Sequence, residues 1–182
     1  MAAGSAVGRA LTSGAVVFLV GELGAGKTTF TRGALRALGH AGSVKSPTYT
    51  LCEPYDLSDS GQFCHLDLYR LSNPEELEFL GIRDYIASGA MLFIEWPSKG
   101  QGWLPTPDLQ VALVDSNNGR ELKVTALTDD GEGVLTRMDK CQRSHRRSPL
   151  AIICLMTLSA AHVSASVEVE DVRLWQIGRA HV

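Results

Sequence analysis

Residues 21–28 of this chain, GELGAGKT, constrain its fold more than any other segment. They match the phosphate-loop pattern G-x-x-x-x-G-K-[ST] at every fixed position. An apolar run at residues 15–20 precedes the loop and is typical of a buried strand. A helical repeat follows, and Gly39 stands where its C-terminal cap is expected. The apolar positions of that repeat are Phe30, Ala34, Leu35 and Leu38. A strand, a glycine-rich loop and a helix in this order predict a nucleotide-phosphate site rather than an ordinary turn.

The residue types of the loop suit phosphate chemistry. Glycines let backbone N–H groups point inward and leave room for phosphates, and the helix N-terminus adds partial positive charge. Lys27 is expected to bring a full positive charge to the β- and γ-phosphates, and the Thr28 hydroxyl to ligate Mg²⁺. The pattern does not distinguish ATP from GTP. The loop residues expected to contact the nucleotide are Glu22, Leu23, Gly24, Ala25, Gly26, Lys27, Thr28 and Thr29.

The composition indicates a globular domain. The 182 residues are 45% apolar and 20% charged, and they are enough to form a core. A formal net charge of −3 argues against a broad basic surface for nucleic acid. The four cysteines lack both C-x-x-C spacing and a histidine cluster, so we expect reduced thiols in a cytoplasmic protein, not disulfides or a zinc site. They are Cys52, Cys64, Cys141 and Cys154.

Strand-like and helix-like segments alternate after the loop. Residues 63–68 and 91–94 resemble strands, and residues 109–114 and 122–127 flank an Asn-Gly turn, which is a strong hairpin signal. This order predicts an α/β fold of the P-loop NTPase type. It would have three layers, a mostly parallel central sheet and an antiparallel hairpin at one edge.

The segments between these strands also carry signals. Pro47 disfavours a helix within residues 44–50, which are expected to form an extended loop. Asn73 is expected to cap a helix, with Pro74 at its first position and Glu76 three residues after the cap.

Two carboxylates are candidates for the acidic partner that a phosphate loop needs for Mg²⁺ or its water. Asp67 ends one strand-like run, and Glu95 directly follows the apolar residues 91–94. Ligands of open α/β sheets bind at the carboxyl ends of strands, and an acid after an apolar run is unfavourable unless a cation or donor meets it. We therefore expect both to be catalytic or metal-binding, with a cap or surface turn as the alternative for Asp67.

Neighbouring residues have two interpretations each. Ser46, Thr48 and Thr50 either sense a γ-phosphate, as a switch segment does, or form a plain turn, which the sequence by itself favours. Trp96 either covers the site or packs in the core. His65 is expected to be a hydrogen-bonded structural histidine.

Four motifs together resemble the TsaE family. They are the loop at residues 21–29, SPTYT at 46–50, DLYR at 67–70 and EWP at 95–97, in the family's order and spacing. Each later motif is weak alone, whereas the set is highly specific. The resemblance covers roughly residues 10–138.

The resemblance implies an ATPase subunit of tRNA modification. Members of the family act with TsaB and TsaD to make N6-threonylcarbamoyladenosine next to the anticodon, without transferring the group themselves. Their ATP cycle would reset the TsaB–TsaD pair. The implied ligands are ATP and Mg²⁺, the tRNA would be reached only through the complex, and the main domain would be cytoplasmic without membrane contact.

The resemblance also implies roles for individual residues. Lys27 takes the role of the phosphate lysine, and Thr28 with Glu95 holds Mg²⁺. Asp67 assists hydrolysis or holds the metal through water. Catalysis would thus rest on Lys27, Asp67 and Glu95, and metal binding on Thr28, Glu95 and Asp67. Beyond the loop, the residues implied at the nucleotide are Thr48 and Arg120.

The termini depart from the family. Its members usually have another strand before residue 15, so the N-terminus is expected to be shortened. After Met138 the chain shows a basic cluster, an apolar run at 150–158 and small residues, which together resemble a secretory signal peptide. Residues 167–175 resemble the start of an AMIN domain of an N-acetylmuramoyl-L-alanine amidase.

The sequence thus predicts two parts. Residues 1–138 form a TsaE-like P-loop ATPase domain. Residues 139–182 form an extraneous tail, disordered or a single helix, which arose by gene fusion or as an assembly artefact.

Two other functions stay open. A stand-alone P-loop small-molecule kinase would need an acceptor site and an arginine-rich lid, and the sequence has only scattered arginines. A nucleotide-dependent interaction module would differ from the ATPase only in not needing hydrolysis.

Overall fold

The computed structural model describes residues 1–57, 60–116, 119–146 and 172–177, and only the backbone of residues 115, 116, 119, 120, 142–146 and 172–177. The strands are β1 (Val16–Val20), β2 (Cys52–Leu57), β3 (Gly61–Asp67), β4 (Met91–Glu95), β5 (Leu109–Ser116), β6 (Gly119–Ala126) and β7 (Val172–Ile177). The helices are α1 (Ala2–Ala10), α2 (Lys27–Ala37), α3 (Glu76–Phe79), α4 (Ile82–Ala87) and α5 (Asp129–Arg146), with a 3-10 turn at Pro97–Gly100.

The strands form one seven-stranded sheet in the order β2-β3-β4-β1-β5-β6-β7. Its centre, β3-β4-β1-β5, is parallel. The predicted hairpin is β5–β6, and β7 extends that edge in antiparallel pairing. The other edge is also antiparallel, since β2 pairs with β3. The predicted α/β fold with a mostly parallel centre is confirmed, and β2 is an addition to it. Pro54 obscured this strand in the sequence, because proline is tolerated at a sheet edge but not in a central strand.

Helices cover both faces of the sheet, so the predicted three layers are confirmed. Alternate strand residues point to opposite faces. Phe93 packs on the side of α2, with its ring centroid 6.1 Å from that of Phe30. Leu92 and Ile94 pack on the other side, in one cluster with Leu77 of α3.

Helix α1 was not predicted, and it supports the helix that follows the phosphate loop. A Cβ at Gly4 would overlap the carbonyl oxygen of Phe30, and one at Gly8 would lie 2.6 Å from that of Ala34. Only glycine permits so close a backbone approach. The Ser5 hydroxyl donates to the Gly33 carbonyl oxygen at 2.9 Å across the same contact. The small residues of α1 gave little apolar periodicity to detect.

The hydrogen bonds predicted for a cap at Asn73 form, but α3 begins two residues later than predicted, at Glu76, with Glu75 as its N-cap. The Asn73 N–H donates to Glu76 Oε1 at 2.8 Å, and the Glu75 N–H donates to Asn73 Oδ1 at 3.1 Å. Because Glu75 is only two residues after Asn73, this reciprocal pair closes the turn that leads into α3 and is not a full capping box. The regular helix is short, because Gly81 adopts φ 67° and starts α4 in a new direction.

The chain beyond residue 138 is described in two pieces. Helix α5 runs from Asp129 to Arg146 through the predicted boundary, and Met138 is buried in the core. The backbone of β7 pairs with β6, so this piece is a strand rather than disordered chain or helix. The apolar run at 150–158 lies outside the described residues, and the division into a domain and a tail stays a prediction. Among the described residues, no helix is both long and apolar enough to cross a bilayer.

Candidate nucleotide site

The phosphate loop joins β1 to α2 at the carboxyl ends of the parallel strands. Gly21 has φ 152°, and a Cβ there would lie 2.6 Å from the carbonyl oxygen of Leu113. Gly24 has φ 81°. An added Cβ at Gly24 would meet no heavy atom of the described chain within 4 Å. Helix α2 begins at Lys27, so its first N–H groups lack acceptors within the helix. This geometry suits an anion.

Lys27 is buried at the mouth of the loop, with 4% of its surface exposed. Its Nζ donates to the carbonyl oxygens of Gly21 at 2.7 Å and Glu22 at 2.9 Å. Burial lowers the pKa of Lys27, and the charges of Glu95 and then Asp67 oppose this shift. The loop therefore holds a desolvated ammonium group that two carbonyl oxygens satisfy.

Trp96 covers this ammonium group. The Lys27 Nζ lies 4.3 Å from the centroid of the Trp96 ring, within the range of a cation–π contact. The Tyr69 ring lies beside the indole, with 5.1 Å between centroids. Trp96 has φ 58°, a left-handed conformation that is uncommon outside glycine. Trp96 also packs against the core cluster that contains Leu92 and Ile94, so both interpretations from the sequence apply to it.

Glu95 joins the phosphate loop to the sheet. It ends β4 and is 3% exposed. Its Oε1 accepts hydrogen bonds from the Thr28 hydroxyl and from His65 Nε2, each at 2.9 Å. A buried carboxylate needs such donors. His65 Nε2 must carry a proton to donate, which fixes the orientation of the ring and of Glu95.

His65 itself is fully buried on β3. Its Nδ1 has no hydrogen-bond partner in the described part of the chain. The predicted structural histidine is therefore satisfied on one side only, and its bonded side faces the candidate site. The alternation of β3 and β4 places His65 beside Glu95, but the sequence gives no signal for that contact.

Asp67 ends β3 directly beside Glu95 in the parallel register. Its Oδ2 accepts from the Thr48 hydroxyl at 2.5 Å and from the Ser46 hydroxyl at 3.3 Å. Its Oδ1 accepts from the Tyr69 N–H at 3.1 Å. Asp67 is 4% exposed, so the surface-turn alternative is wrong for it. The hydroxyl loop at residues 46–51 is thus tied to this acid rather than being an isolated turn.

These groups line one cavity of about 320 Å³. It brings together most of the site residues predicted from the sequence. They are Leu23, Gly24, Gly26, Lys27, Thr28, Thr29, Thr48, Asp67 and Glu95. Ser46, Tyr69 and Trp96 complete the lining.

Three of the described residues singled out in the sequence, Glu22, Ala25 and Thr50, lie apart from this lining. Ala25 is buried in the core, and Glu22 contributes its carbonyl oxygen to Lys27. Thr50 is exposed outside the cavity. The backbone of Arg120 pairs with Asp115 in the β5–β6 hairpin, but its side chain lies outside the described part of the chain, so its contact with the nucleotide stays a prediction.

Comparison with known proteins identifies relatives across most of the chain. The family model "Threonylcarbamoyl adenosine biosynthesis protein TsaE" matches residues 1–122. The Haemophilus influenzae tRNA threonylcarbamoyladenosine biosynthesis protein TsaE is 49% identical over 121 residues, which are 66% of this chain and 76% of that protein. The Bacillus subtilis and Treponema pallidum proteins of the same name are 36% and 35% identical, over 63% and 66% of this chain and 71% and 89% of theirs.

A solved structure has the same architecture. The crystal structure of Bacillus subtilis YdiB is 28% identical to this chain and superposes with a TM-score of 0.62. The match covers 77% of this chain and 87% of that one.

Proposed function

This chain belongs to the TsaE family of threonylcarbamoyl adenosine biosynthesis proteins, and we propose that it serves tRNA modification by binding and hydrolysing ATP. One observation carries the proposal. The Thr28 hydroxyl of the phosphate loop meets Glu95 at 2.9 Å, beside the buried Lys27 ammonium group. A hydroxyl, an acid and a lysine in this arrangement are the parts that phosphoryl transfer requires of a P-loop protein.

Phosphate binding would begin with an exchange at Lys27. Its Nζ would break its hydrogen bonds to the carbonyl oxygens of Gly21 and Glu22 and donate to β- and γ-phosphate oxygens instead. The glycine-rich backbone and the N-terminus of α2 supply further N–H donors and positive potential. The negative charge of the phosphates raises the pKa of Lys27 again, which keeps the bound lysine protonated.

The donor set at Thr28 and Glu95 fits Mg²⁺. A hydroxyl and a carboxylate are hard oxygen ligands, and their oxygens already lie 2.9 Å apart. Mg²⁺, when bound, would neutralise charge that develops on the β- and γ-phosphates. Within the described residues, no group of three or more His, Cys, Asp and Glu side chains could hold a metal alone. The phosphates would therefore complete the coordination, while His65 keeps Glu95 in place.

Asp67 would act on a water molecule in the site. It lies beside Glu95, and its carboxylate can orient the attacking water or hold the metal through water. The Thr48 hydroxyl bonds the same carboxylate, so a change at the γ-phosphate can reach the loop at residues 46–51 through Asp67.

The proposed partners are TsaB and TsaD, with ATP turnover resetting their complex. Leu23 and Tyr49 are 71% and 82% exposed, so a partner that docks at the phosphate loop and the loop at residues 46–51 would cover them. The Arg70 guanidinium stacks over the Tyr49 ring at 4.4 Å. A net charge of −3 supports tRNA contact only through the complex. We place this work in the cytoplasm.

The test is ATP hydrolysis by the full chain, alone and with a TsaB–TsaD pair, beside Lys27→Ala. Lys99→Ala is the matched control, since Lys99 is exposed on the neighbouring 3-10 turn. We expect weak activity alone, stimulation by the pair, and loss in Lys27→Ala only. GTP in parallel assays tests the base preference. A hydrolysis rate that the TsaB–TsaD pair does not change would indicate a stand-alone phosphotransferase such as a small-molecule kinase.

The exposed Leu23 and Tyr49 also favour one alternative, a nucleotide-dependent interaction module that does not need hydrolysis. Glu95→Gln separates the two. If nucleotide binding persists while tRNA modification is lost, hydrolysis is required. If modification persists without hydrolysis, the module is correct.

A further inference from the structure

Cys52 and Cys64 meet across the antiparallel pair β2–β3. The Cys52 Sγ of β2 lies 2.7 Å from the Cys64 Sγ of β3. In the antiparallel register, Cys52 is opposite Leu66 and Cys64 is opposite Pro54, so the cysteines are diagonal neighbours on one face. Cys52 and Cys64 are not joined by a disulfide, as predicted, but the sequence did not predict this contact, because β2 was not recognised as a strand.

The two thiols have different surroundings. Cys64 is fully buried, whereas Cys52 is partly exposed. The hydrogen bond from Cys64 lowers the pKa of Cys52, while burial and the charge of Glu53 oppose that shift. The same contact and burial raise the pKa of Cys64. Cys52 is therefore the thiol that reaches the thiolate form and meets a solvent-borne oxidant.

We propose that Cys52 and Cys64 form a peroxide-sensitive pair that closes reversibly to a disulfide. The Cys52 thiolate attacks one oxygen of hydrogen peroxide, and the O–O bond breaks. Hydroxide is the leaving group, and Cys52 becomes a sulfenic acid. The Cys64 sulfur then attacks that sulfenic sulfur, the S–O bond breaks, and the hydroxyl leaves as water with the Cys64 proton. In total, two thiols lose two electrons and two protons, and peroxide becomes two waters.

The exposure of Cys52 makes this bond reducible. Cys52 is partly exposed, so one sulfur of the disulfide would remain accessible to a reductant. An exposed disulfide is more easily reduced than a buried structural one. We therefore expect thiol reductants to reopen it.

The bond would act on the loop at residues 46–51. The Asp67 N–H donates to the Leu51 carbonyl oxygen at 3.0 Å, and Cys52 is the next residue. Cys64 precedes Asp67 on β3. A disulfide would thus fix the base of the loop to the strand that ends in Asp67. This consequence for the nucleotide rests on the proposed function, whereas the oxidation itself does not.

The oxidation is tested by peptide mapping of the full chain. No lysine or arginine lies between Lys45 and Arg70, so one tryptic peptide, residues 46–70, contains both cysteines. After treatment with hydrogen peroxide and then an alkylating reagent, we expect the mass of this peptide to be lower by two hydrogens than that of the reduced peptide, with no alkyl group on either cysteine. Dithiothreitol should restore them. Two alkylated cysteines after peroxide, or oxidation of Cys52 no faster than that of Cys141, would overturn the proposal.

Single-cysteine variants test which two sulfurs form the bond. Cys52→Ser and Cys64→Ala should each abolish the internal bond, whereas Cys141→Ser should leave it intact. Because Cys64 is buried, its variant is checked by circular dichroism. Cys52 is partly exposed, so its variant gives the same test if Cys64→Ala does not fold. An internal bond that persists in either variant would contradict the pairing.

The effect on the loop has its own measurement. Stopped-flow binding of a fluorescent ATP analogue compares reduced and oxidised protein. We expect slower binding and release after oxidation, with no such change in Cys52→Ser. If the disulfide is mapped but the reduced and oxidised proteins bind and release the analogue at equal rates, the proposed effect of the disulfide on the loop is wrong. Absence of binding in both states would instead count against the proposed function.

Discussion

Glu95 and Asp67 end neighbouring parallel strands in one register, but they are bonded to different parts of the molecule. Glu95 accepts hydrogen bonds from Thr28, on the helix of the phosphate loop, and from His65 in the sheet. Asp67 accepts from Ser46 and Thr48 in the loop at residues 46–51. Burial does not separate the two acids, since they are 3% and 4% exposed.

The difference lies in the mobility of the partners. Both partners of Glu95 belong to regular elements with core packing, which open rarely. The main side-chain partners of Asp67 belong to a loop, where local opening is easiest. A fixed acid suits a metal ligand, and an acid tied to a loop suits a sensor of what occupies the site. The two carboxylates should therefore respond differently to substitution.

Glu95→Gln gives the largest expected effect. The amide keeps the size of the side chain but removes the charge next to Thr28. We expect hydrolysis by the partner-stimulated protein to fall by about 10²–10³-fold, as when a preorganised electrostatic group is lost. ATP binding without Mg²⁺ should persist. Turnover assays and calorimetry measure the two quantities.

Asp67→Asn is the matched variant in the same register. We expect a smaller loss of turnover and faster hydrogen exchange in residues 46–51, because the loop loses its charged acceptor. Exchange in the phosphate loop should stay unchanged. The distinction between the two acids fails if Asp67→Asn slows turnover as much as Glu95→Gln.

His65→Leu should give the next largest effect, on the Glu95 side alone. It removes a buried donor to the Glu95 carboxylate while filling similar space. Residues that orient a metal ligand typically contribute about 10–100-fold to metal affinity. We expect the Mg²⁺ concentration for half-maximal hydrolysis to rise by that order, with recovery at saturating Mg²⁺. His65→Gln, whose amide can donate, should restore part of the loss. A fall in stability with an unchanged Mg²⁺ requirement would leave His65 a structural role only.

Much of the site could be predicted because one short segment fixes its own geometry. The residues of the phosphate loop impose a strand, a turn and a helix in sequence. Glu95 was predicted because an acid after four apolar residues needs a partner at a strand end. Asp67 was predicted from its place at the carboxyl end of a strand, and β3 and β4 are neighbours in the fold.

The missed features depend on contacts that are distant in the chain. Helix α1 is held by the backbone approach of Gly4 and Gly8, and its small residues give only a weak apolar periodicity in the sequence. Strand β2 carries Pro54 and becomes a strand only by pairing with β3. The contact of His65 with Glu95 and that of Cys52 with Cys64 follow from sheet register, which no local pattern encodes.

Thr48→Val tests the contact between Asp67 and the loop at residues 46–51, and its expected effect is smaller. It removes the 2.5 Å hydrogen bond to Asp67 and keeps the branched shape. A part-buried hydrogen bond to a charged group is worth about 1.5–3 kcal/mol, and partial exposure brings the expected loss toward the lower end. Ser46→Ala is the control, since its contact at 3.3 Å is longer and should contribute less. Urea unfolding and hydrogen exchange of residues 46–51 measure both. Equal losses in the two variants would contradict the assignment of Thr48 as the main tie.

The smallest expected effect is on the pKa of Lys27, which Glu95 and Asp67 influence to different degrees. Burial lowers the pKa of Lys27 below its ordinary 10.5, and Glu95 opposes this more than Asp67 does. Glu95→Gln should therefore lower that pKa further than Asp67→Asn. Phosphates bind the protonated lysine, so affinity is full below the pKa and declines as pH rises through it. Without Mg²⁺, the decline in ATP affinity should begin at lower pH in Glu95→Gln than in Asp67→Asn, and Lys99→Ala should follow the wild type. The reverse order would mean that Asp67, and not Glu95, interacts more strongly with the Lys27 ammonium group.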